Sequence, residues 1–178
     1  MTKIERLLNV LVQTNKMWDY QAMQDRVKSV YLLGSLAIES GGESVPWADL
    51  TQEYAADLKQ RIEEDKQAGQ TYEFRNLCIR SVEIMRVCNY ADSTANEFLA
   101  KLSYHAQTTI FINGKVTSHD ADVVSSEEYV LFGREDMQWK LKQVLTTEEG
   151  QKQAAEENID EGSSPEQLAW FYAQERAI

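Results

Sequence analysis

The feature that most limits the fold of this chain is a stretch of alternating apolar and polar residues at 98–112. Phe98, Leu102 and Tyr104 fall on one face of an extended strand, and His105 falls on the other. A straight strand of this length would exceed about 45 Å at about 3.3 Å per residue, which is more than a domain of this size needs. We therefore predict that the strand curves and that its sheet forms a cone with an apolar inside.

Other segments supply the partners of this strand. The dipeptide at 113–114 is Asn-Gly, which readily adopts positive φ at both central positions of a hairpin turn. The chain is predicted to return through a strand at 123–134, and a further strand follows at 138–145. Residues 75–90 are predicted to form the first strand, and their irregular alternation indicates burial on both faces or a bulge.

Helical periodicity accounts for most of the remaining chain. Two apolar stripes with helical spacing precede residue 40, and the clearest amphipathic helix starts at Pro46 and ends at Gly69. Helices come first, strands follow as a meander, and no parallel β-α-β alternation is present. We predict an α+β fold in which N-terminal helices pack on a curved antiparallel sheet of about four strands, followed by a C-terminal helical tail.

The length of 178 residues and the apolar content of 43% fit one domain with a tail. We divide the chain into an N-terminal helical segment at 1–22, an α+β domain at 23–145 and an acidic helical tail at 146–178.

Cys78 and Cys88 would lie roughly 33 Å apart on a straight strand, too far for a disulfide. Reduced cysteines, no run of about 18 apolar residues and no secretory signal predict a cytoplasmic location. A segment outside this chain could still tether it to a membrane.

The charge of the chain argues against two classes of partner. The formal net charge is −11, and more than half of it lies in residues 146–178. Nucleic acids and anionic lipid surfaces bind through clustered Lys and Arg side chains. We therefore expect no nucleic-acid binding and no membrane association by this chain alone.

Three segments together resemble a known family: 25–31 (DRVKSVY), the amphipathic helix from Trp47, and 128–134 (EYVLFGR) with 139–141 (WKL). They resemble the domain shared by mitochondrial import inner membrane translocase subunit 44, a large-subunit protein of the mitochondrial ribosome and many bacterial proteins. The resemblance covers about residues 23–145. It implies a cone similar to the nuclear transport factor 2-like and cystatin-like folds, and it implies no catalytic residue.

The apolar side chains of the cone are the first candidate site. They are expected to line a pocket for an apolar ligand or a hydrophobic peptide segment, or else to fill the core between helix and sheet. The candidates are Trp47, Leu50, Tyr54, Leu58, Phe98, Leu102, Tyr104, Phe132 and Trp139.

The tail is the second candidate site. Ser164 and Pro165 resemble a helix start with a capping box, and Leu168, Phe171 and Tyr172 follow on one face. This helix is expected to dock on its own domain, on a partner protein or on a second copy in a homodimer. The acidic residues at 156–161 are expected to be a solvated connector that lets the helix move between such surfaces.

An enzymatic function has weaker support in the sequence. His119, Asp120 and Asp122 lie near a turn, where polar residues are expected in any case, and His105 points away from the cone. No glycine-rich phosphate loop, nucleophile elbow or metal-binding spacing is present. We expect no catalytic residue, no metal site and no cofactor.

The sequence therefore predicts a non-catalytic binding or scaffold domain of the translocase subunit 44-like family that engages a protein partner or a hydrophobic ligand. Two alternatives stay open. One is a small-molecule enzyme of the isomerase or dehydratase kind with a polar residue in the cone. The other is a lipid-binding peripheral membrane domain.

Overall fold

The structure is a computed structural model that describes residues 2–175, except for the side chains of Phe171, Gln174 and Glu175. The helices of this part are Lys3–Leu11 (α1), Tyr20–Glu39 (α2), Gln52–Ala68 (α3), Thr147–Ala154 (α4) and Pro165–Glu175 (α5). The strands are Gln70–Asn89 (β1), Glu97–Ile112 (β2), Lys115–His119 (β3), Val124–Glu135 (β4), Gln138–Leu145 (β5) and Ile159–Asp160 (β6).

The strands form one strongly curled sheet in the order β5-β4-β2-β1-β6, with β3 paired to the far end of β2. The helices pack on this sheet, so the predicted α+β fold is confirmed. The sheet is mixed, however, because β6 runs parallel to β1. Two short strands, β3 and β6, add to the four that the sequence predicted.

The turn at 113–114 is the predicted hairpin turn. Asn113 has φ +48° and Gly114 has φ +76°, which are the positive values that such a turn requires. The amide of Asn113 also donates to the carbonyl of Gly69 at 2.9 Å, and this bond ties the turn to the end of α3.

The irregular alternation of β1 reflects bulges. The pairing of β1 with β2 shifts between Arg75 and Cys78, again before Ser81 and again before Arg86, and Asn76 has φ +56°. Each bulge adds a residue to one strand and increases the local twist. Repeated bulges therefore let two long strands curl around the helices, as the length of β2 predicted.

The helix that crosses the concave face of the sheet is α2. Gln24 Nε2 donates to the carbonyl of Val82 on β1 at 2.6 Å, and Arg26 Nε donates to the carbonyl of Trp139 on β5 at 2.8 Å. The ring of Tyr104 packs against Tyr31 of α2, with centroids 5.4 Å apart.

The helix α3 also starts later than predicted. Residues Trp47–Asp49 form a separate 3-10 turn, and Leu50 forms an isolated parallel bridge with Leu141 of β5. The amide of Thr51 donates to the carbonyl of Leu141 at 3.0 Å, so the backbone here is extended. Thr51 then caps α3 by accepting from the amide of Tyr54. Pairing with β5 thus prevents the helix from starting at Trp47.

Aromatic rings pack one end of the concave face. Trp139 meets Trp18 edge to face at 4.9 Å and Phe98 at 5.0 Å, and Phe98 stacks on Phe132 at 5.2 Å. The indole of Trp139 donates to the carbonyl of Met17 at 2.7 Å. The segment 1–22 therefore contributes to the same core as the sheet.

The convex face carries a smaller core covered by α4. Leu99, Tyr129, Leu131 and Leu145 form this cluster, and Gly150 of α4 lies directly on Tyr129. A Cβ atom added to Gly150 would lie 2.1 Å from Cγ of Tyr129. Glycine is therefore required at this position for the helix to approach the strand.

The acidic connector at 156–161 is anchored to the edge of the sheet, while Glu156, Glu157 and Glu161 are exposed. Asn158 Oδ1 accepts from the amide of Val87 at 2.9 Å, and residues 159–160 form β6 beside β1. Glu156 pairs with Arg86 at 2.9 Å. The connector is therefore attached to the edge of β1 through its backbone and Asn158, and its Glu side chains lie on the solvent side.

The helix α5 starts as predicted and lies beside α1. The amide of Ser164 donates to Gln167 Oε1 at 2.8 Å, and the amide of Gln167 donates back to Ser164 Oγ at 3.3 Å, which is a capping box. Gln167 Nε2 donates to Thr14 Oγ1 at 3.1 Å. Within residues 2–175 no helix has the length and apolar character needed to span a membrane.

We expect Leu102→Ala to lower the free energy of unfolding by about 2–5 kcal/mol, because Leu102 is fully buried in the main core and its truncation leaves a cavity. Urea denaturation measures this change. The matched control is Leu36→Ala, since Leu36 is 55% exposed and its truncation should change stability by less than about 0.5 kcal/mol. Equal stability of the two variants would contradict the packing.

We expect Gly150→Ala to destabilise the protein by about 1–3 kcal/mol, because the new methyl group overlaps Tyr129. Gly34→Ala is the control in another helix, where an added Cβ meets no atom within 4 Å. That variant should gain about 0.5–1 kcal/mol through helix propensity. Thermal melts of both variants measure the difference, and a shift of the same sign in both would refute the close approach of α4.

Candidate functional site

A cavity of about 260 Å³ lies between α2, α3 and the concave face of the sheet. For comparison, an engineered apolar cavity of about 150 Å³ stays dry and binds benzene. Most of the wall of the cavity between α2, α3 and the sheet is apolar. The apolar lining residues include Val30, Ile38, Leu50, Leu58, Phe74, Leu77, Ala106, Leu141 and Val144.

Small residues keep this end of the cone open. Gly34 of α2 faces the cavity, and an added Cβ would meet no atom within 4 Å. Ala106 occupies the facing position on β2 where a larger side chain would reach inward. The large rings of Phe98 and Trp139 instead pack at the other end. The distribution of side-chain volume along the sheet thus leaves the space unfilled.

A polar cluster of three side chains interrupts the apolar wall. Tyr104 of β2 donates its hydroxyl to Glu128 Oε1 of β4 at 3.2 Å, and Tyr31 of α2 packs on Tyr104. Leu102 is the direct partner of Glu128 in the β2–β4 ladder, so Tyr104 and Glu128 are diagonal neighbours on the concave face. Three elements therefore bring two phenols and one carboxylate together.

The surroundings extend to more alkaline pH the range in which both phenols are neutral. Burial raises the pKa of Tyr31 well above the ordinary value of 10.0, and the nearby charge of Glu128 raises it further. Burial also raises the pKa of Tyr104. Both hydroxyls are consequently hydrogen-bond donors at neutral pH. Within residues 2–175, Glu128 forms no ion pair with a Lys or Arg side chain.

Tyr54 and Arg61 of α3 stand where the cavity meets a second, polar groove. Arg61 Nη2 donates to the Tyr54 hydroxyl at 3.2 Å, and the guanidinium lies 5.6 Å from the centroid of that ring. The groove runs between α3 and β5, and three carboxylates line it: Glu53, Asp57 and Glu64. A ligand that enters from this side therefore passes an acidic helix face.

The structure separates the nine residues that the sequence proposed for the cup. Leu50, Tyr54, Leu58 and Tyr104 line the cavity. Phe98, Leu102, Phe132 and Trp139 are buried in the core and do not line it.

Trp47 is placed differently from the sequence expectation. It is 37% exposed, and Lys59 Nζ lies 5.0 Å from its ring centroid. The side chain lies outside the cavity. The 3-10 turn that carries Trp47 is separate from α3, which lines the cavity.

Glu128 and Tyr31 are site residues that the sequence did not predict. They lie in the segments 128–134 and 25–31, which carry the family resemblance. The sequence pattern could have identified Glu128. It lies two residues before Val130 and four before Phe132, and alternate residues of a strand point to the same face of the sheet. No signal in the sequence placed Tyr31 opposite Tyr104, since that contact depends on how α2 crosses the sheet.

The polar residues at 119–120, which the sequence offered as catalytic candidates, form local hydrogen bonds with β2. His119 Nδ1 lies 2.8 Å from Thr109 Oγ1, and Asp120 accepts from the amide of Thr108 at 2.9 Å. These bonds tie the loop after β3 to β2. Among the residues described, no cluster of three or more His, Cys, Asp or Glu side chains could hold a metal ion.

The tail residues are only partly enclosed. Leu168 is half-buried near α1, and Tyr172 is 55% exposed. The side chain of Phe171 lies outside the described residues. The structure thus places part of the proposed tail surface against the domain itself.

Comparisons with known proteins identify a fold and no family. No protein-family model matches the chain, and no curated protein matches it. The intermembrane space region of chloroplast protein ARC6 aligns with a TM-score of 0.52 and 18% identity, over 72% of this chain and 98% of that chain. A putative polyketide cyclase from Xanthomonas campestris pv. campestris aligns with a TM-score of 0.35 and 10% identity, over 74% of this chain and 98% of that chain. The first likeness shows a shared fold, and the second is too weak to show one.

We expect the stability of the protein to fall as the pH rises above about 10, because the raised pKa of Tyr31 makes the folded state hold a proton that the unfolded state releases. The contribution is fully present below the ordinary tyrosine pKa and is lost as the pH approaches the raised value. Urea denaturation between pH 8 and about 11 measures the loss.

Tyr31→Phe is the matched variant, since it removes the ionisable hydroxyl and keeps the ring. Its stability should fall less over the same alkaline range. A decline identical to that of the wild type would show that Tyr31 is not the group responsible.

Proposed function

We propose that this chain is a non-catalytic binding domain whose cavity takes the apolar part of a hydrophobic ligand or of a protein partner. The observation that carries the proposal is the cavity of about 260 Å³ with its mainly apolar wall. Ligand pockets are typically concave and apolar with a few convergent polar groups that fix orientation. The cavity combines such a wall with the cluster of Tyr31, Tyr104 and Glu128.

The packing of the domain supports this function because it concentrates stability at the opposite end. Trp18, Phe98, Phe132 and Trp139 hold the core without occupying the cavity. An unfilled apolar space of this size costs stability, since its walls lose contacts that a packed core would have. A chain that folds despite this cost can recover part of it by binding a ligand.

The family and the compartment are part of the same proposal. The resemblance at 25–31, 128–134 and 139–141 supports a place in the translocase subunit 44-like family, whose domains are cones of this kind. Cys78 and Cys88 are free thiols, which supports a cytoplasmic location.

Filling the cavity tests the function. We expect Gly34→Leu to abolish binding of 1-hexanol, followed by NMR titration, because the new side chain extends into the space that the alcohol would occupy. Gly34→Ala is the control, since a single methyl group leaves most of the volume free. The melting temperature of Gly34→Leu should equal or exceed that of the wild type.

Two results would contradict the proposal. The first is no binding of 1-hexanol by the wild type at millimolar concentration. The second is equal binding by the wild type and by a folded Gly34→Leu variant, which would place the alcohol elsewhere.

One observation favours a second candidate function. A carboxylate beside two neutral phenols in an apolar cavity is also an arrangement for acid–base catalysis, in which Glu128 would remove a proton from carbon and a tyrosine would stabilise the developing oxyanion. An isomerase or dehydratase of small molecules would use these groups. The binding proposal and this one differ in whether a bound ligand exchanges protons.

Deuterium exchange at the α-carbon of 2-hexanone distinguishes them. Under the binding proposal the exchange rate equals that of buffer. Exchange that is accelerated by the wild type and lost in Glu128→Gln would support the enzyme.

A further inference from the structure

The charge inside the cavity narrows the ligand class, and this step rests on the proposed function. Glu128 is the carboxylate of the lining and is partly buried, and no Lys or Arg side chain of residues 2–175 pairs with it. Arg61 also lines the cavity, but it bonds to the hydroxyl of Tyr54. A carboxylate beside a mainly apolar wall is better stabilised when a cationic group pairs with it. We propose that the cavity binds a cationic amphipathic group, an apolar stem that carries an ammonium, and that Glu128 pairs with its positive end.

The hydrogen bonds of Glu128 leave room for this partner. A carboxylate can accept about four hydrogen bonds, and Tyr104 fills one site on Oε1. Tyr31 is close enough that the charge of Glu128 raises its pKa. Two phenols stabilise the carboxylate and fix its orientation, but they are neutral and cannot balance its charge. An ammonium, which has three donors, would supply both the charge and further hydrogen bonds.

The rest of the wall sets the shape of the ligand. Val30, Leu58, Ala106 and Leu141 present only apolar atoms beside the polar cluster. An ion pair is stronger where few waters compete with it, so the apolar wall increases the attraction between Glu128 and an ammonium. The same wall requires that the remainder of the ligand be apolar.

The groove that leads to the cavity also favours a cationic ligand over an anionic one. Glu53, Asp57 and Glu64 line the adjoining groove, and the whole chain carries a net charge of −11. Such a field attracts cations and repels anions. The groove also contains Lys142, which pairs with Glu97 at 3.0 Å, and Arg61, which bonds to Tyr54. Lys142 is therefore paired with a carboxylate, and Arg61 is held against the ring and hydroxyl of Tyr54.

Three compounds of six carbons each test the proposal: n-hexylammonium, 1-hexanol and hexanoate. Isothermal titration of the wild type should show that n-hexylammonium binds at least tenfold more tightly than 1-hexanol, and that hexanoate binds most weakly. In Glu128→Gln the preference for the ammonium should vanish while 1-hexanol binds as before, which shows that the cavity is intact.

Glu127→Gln is the matched control. Glu127 neighbours Glu128 in sequence but points to the opposite face of β4, where it lies near Lys101. Neutralising it removes the same formal charge from the chain, so this variant should keep the preference for n-hexylammonium. Loss of the preference in both variants would assign it to the general field of the protein and would overturn the role of Glu128.

Two further results separate failure of this inference from failure of the proposed function. Equal binding of the ammonium and the alcohol, or tightest binding of hexanoate, would overturn the cationic ligand and leave the apolar cavity as a binding site. If n-hexylammonium, 1-hexanol and hexanoate all fail to bind, the cavity is not a binding site and both proposals are refuted.

A second arm distinguishes the two sources of an alkylammonium group, a free amine and a lysine side chain of a protein segment. The probes are the capped peptide Leu-Leu-Lys-Leu-Leu and its analogue with norleucine in place of lysine. Tighter binding of the lysine peptide than of n-hexylammonium supports a protein segment as the source. Binding of n-hexylammonium alone supports a small amine.

Discussion

The contacts of Trp139 are the interaction on which the rest of the structure depends. Its ring meets Trp18 and Phe98 edge to face, and its indole nitrogen donates to the carbonyl of Met17. Its own carbonyl accepts from Arg26 of α2. One residue near the sheet edge thus fixes the N-terminal segment, the crossing helix and the last long strand of the domain. Aromatic rings bury large areas, so this contact closes one end of the cone firmly.

Closing one end firmly leaves the other end free to serve a function. Gly34 and Ala106 occupy positions where larger side chains would fill the cone. The bulges of β1 increase the twist of the sheet around this space. The domain therefore divides into a packed half that provides stability and a half that contains the unfilled cavity. Natural domains often accept a local loss of stability where a site requires it.

The likeness to the intermembrane space region of ARC6 extends over most of that region, yet at 18% identity it concerns the fold. Folds of this kind carry unrelated functions, because the function of a domain depends on the residues of its site. Here the site consists of an apolar wall and one carboxylate without a cationic partner among the residues described. Those two properties determine which ligand chemistry the cavity would favour.

Local patterns were enough to predict the fold class, the long alternating strand at 98–112, the turn at Asn113 and the capping box at Ser164, because each depends on residues close in the chain. It also indicated the bulges of β1 through broken alternation. Local pattern could not place the start of α3, the parallel strand β6 or the exposure of Trp47, since these depend on backbone bonds to distant strands. Which apolar residues fill the core and which line the cavity is set by the packing of distant elements, because the volume between α2 and the sheet depends on how the helix crosses it. The meeting of Tyr31 with Tyr104 and Glu128 was decided in the same way, by three elements that lie far apart in sequence.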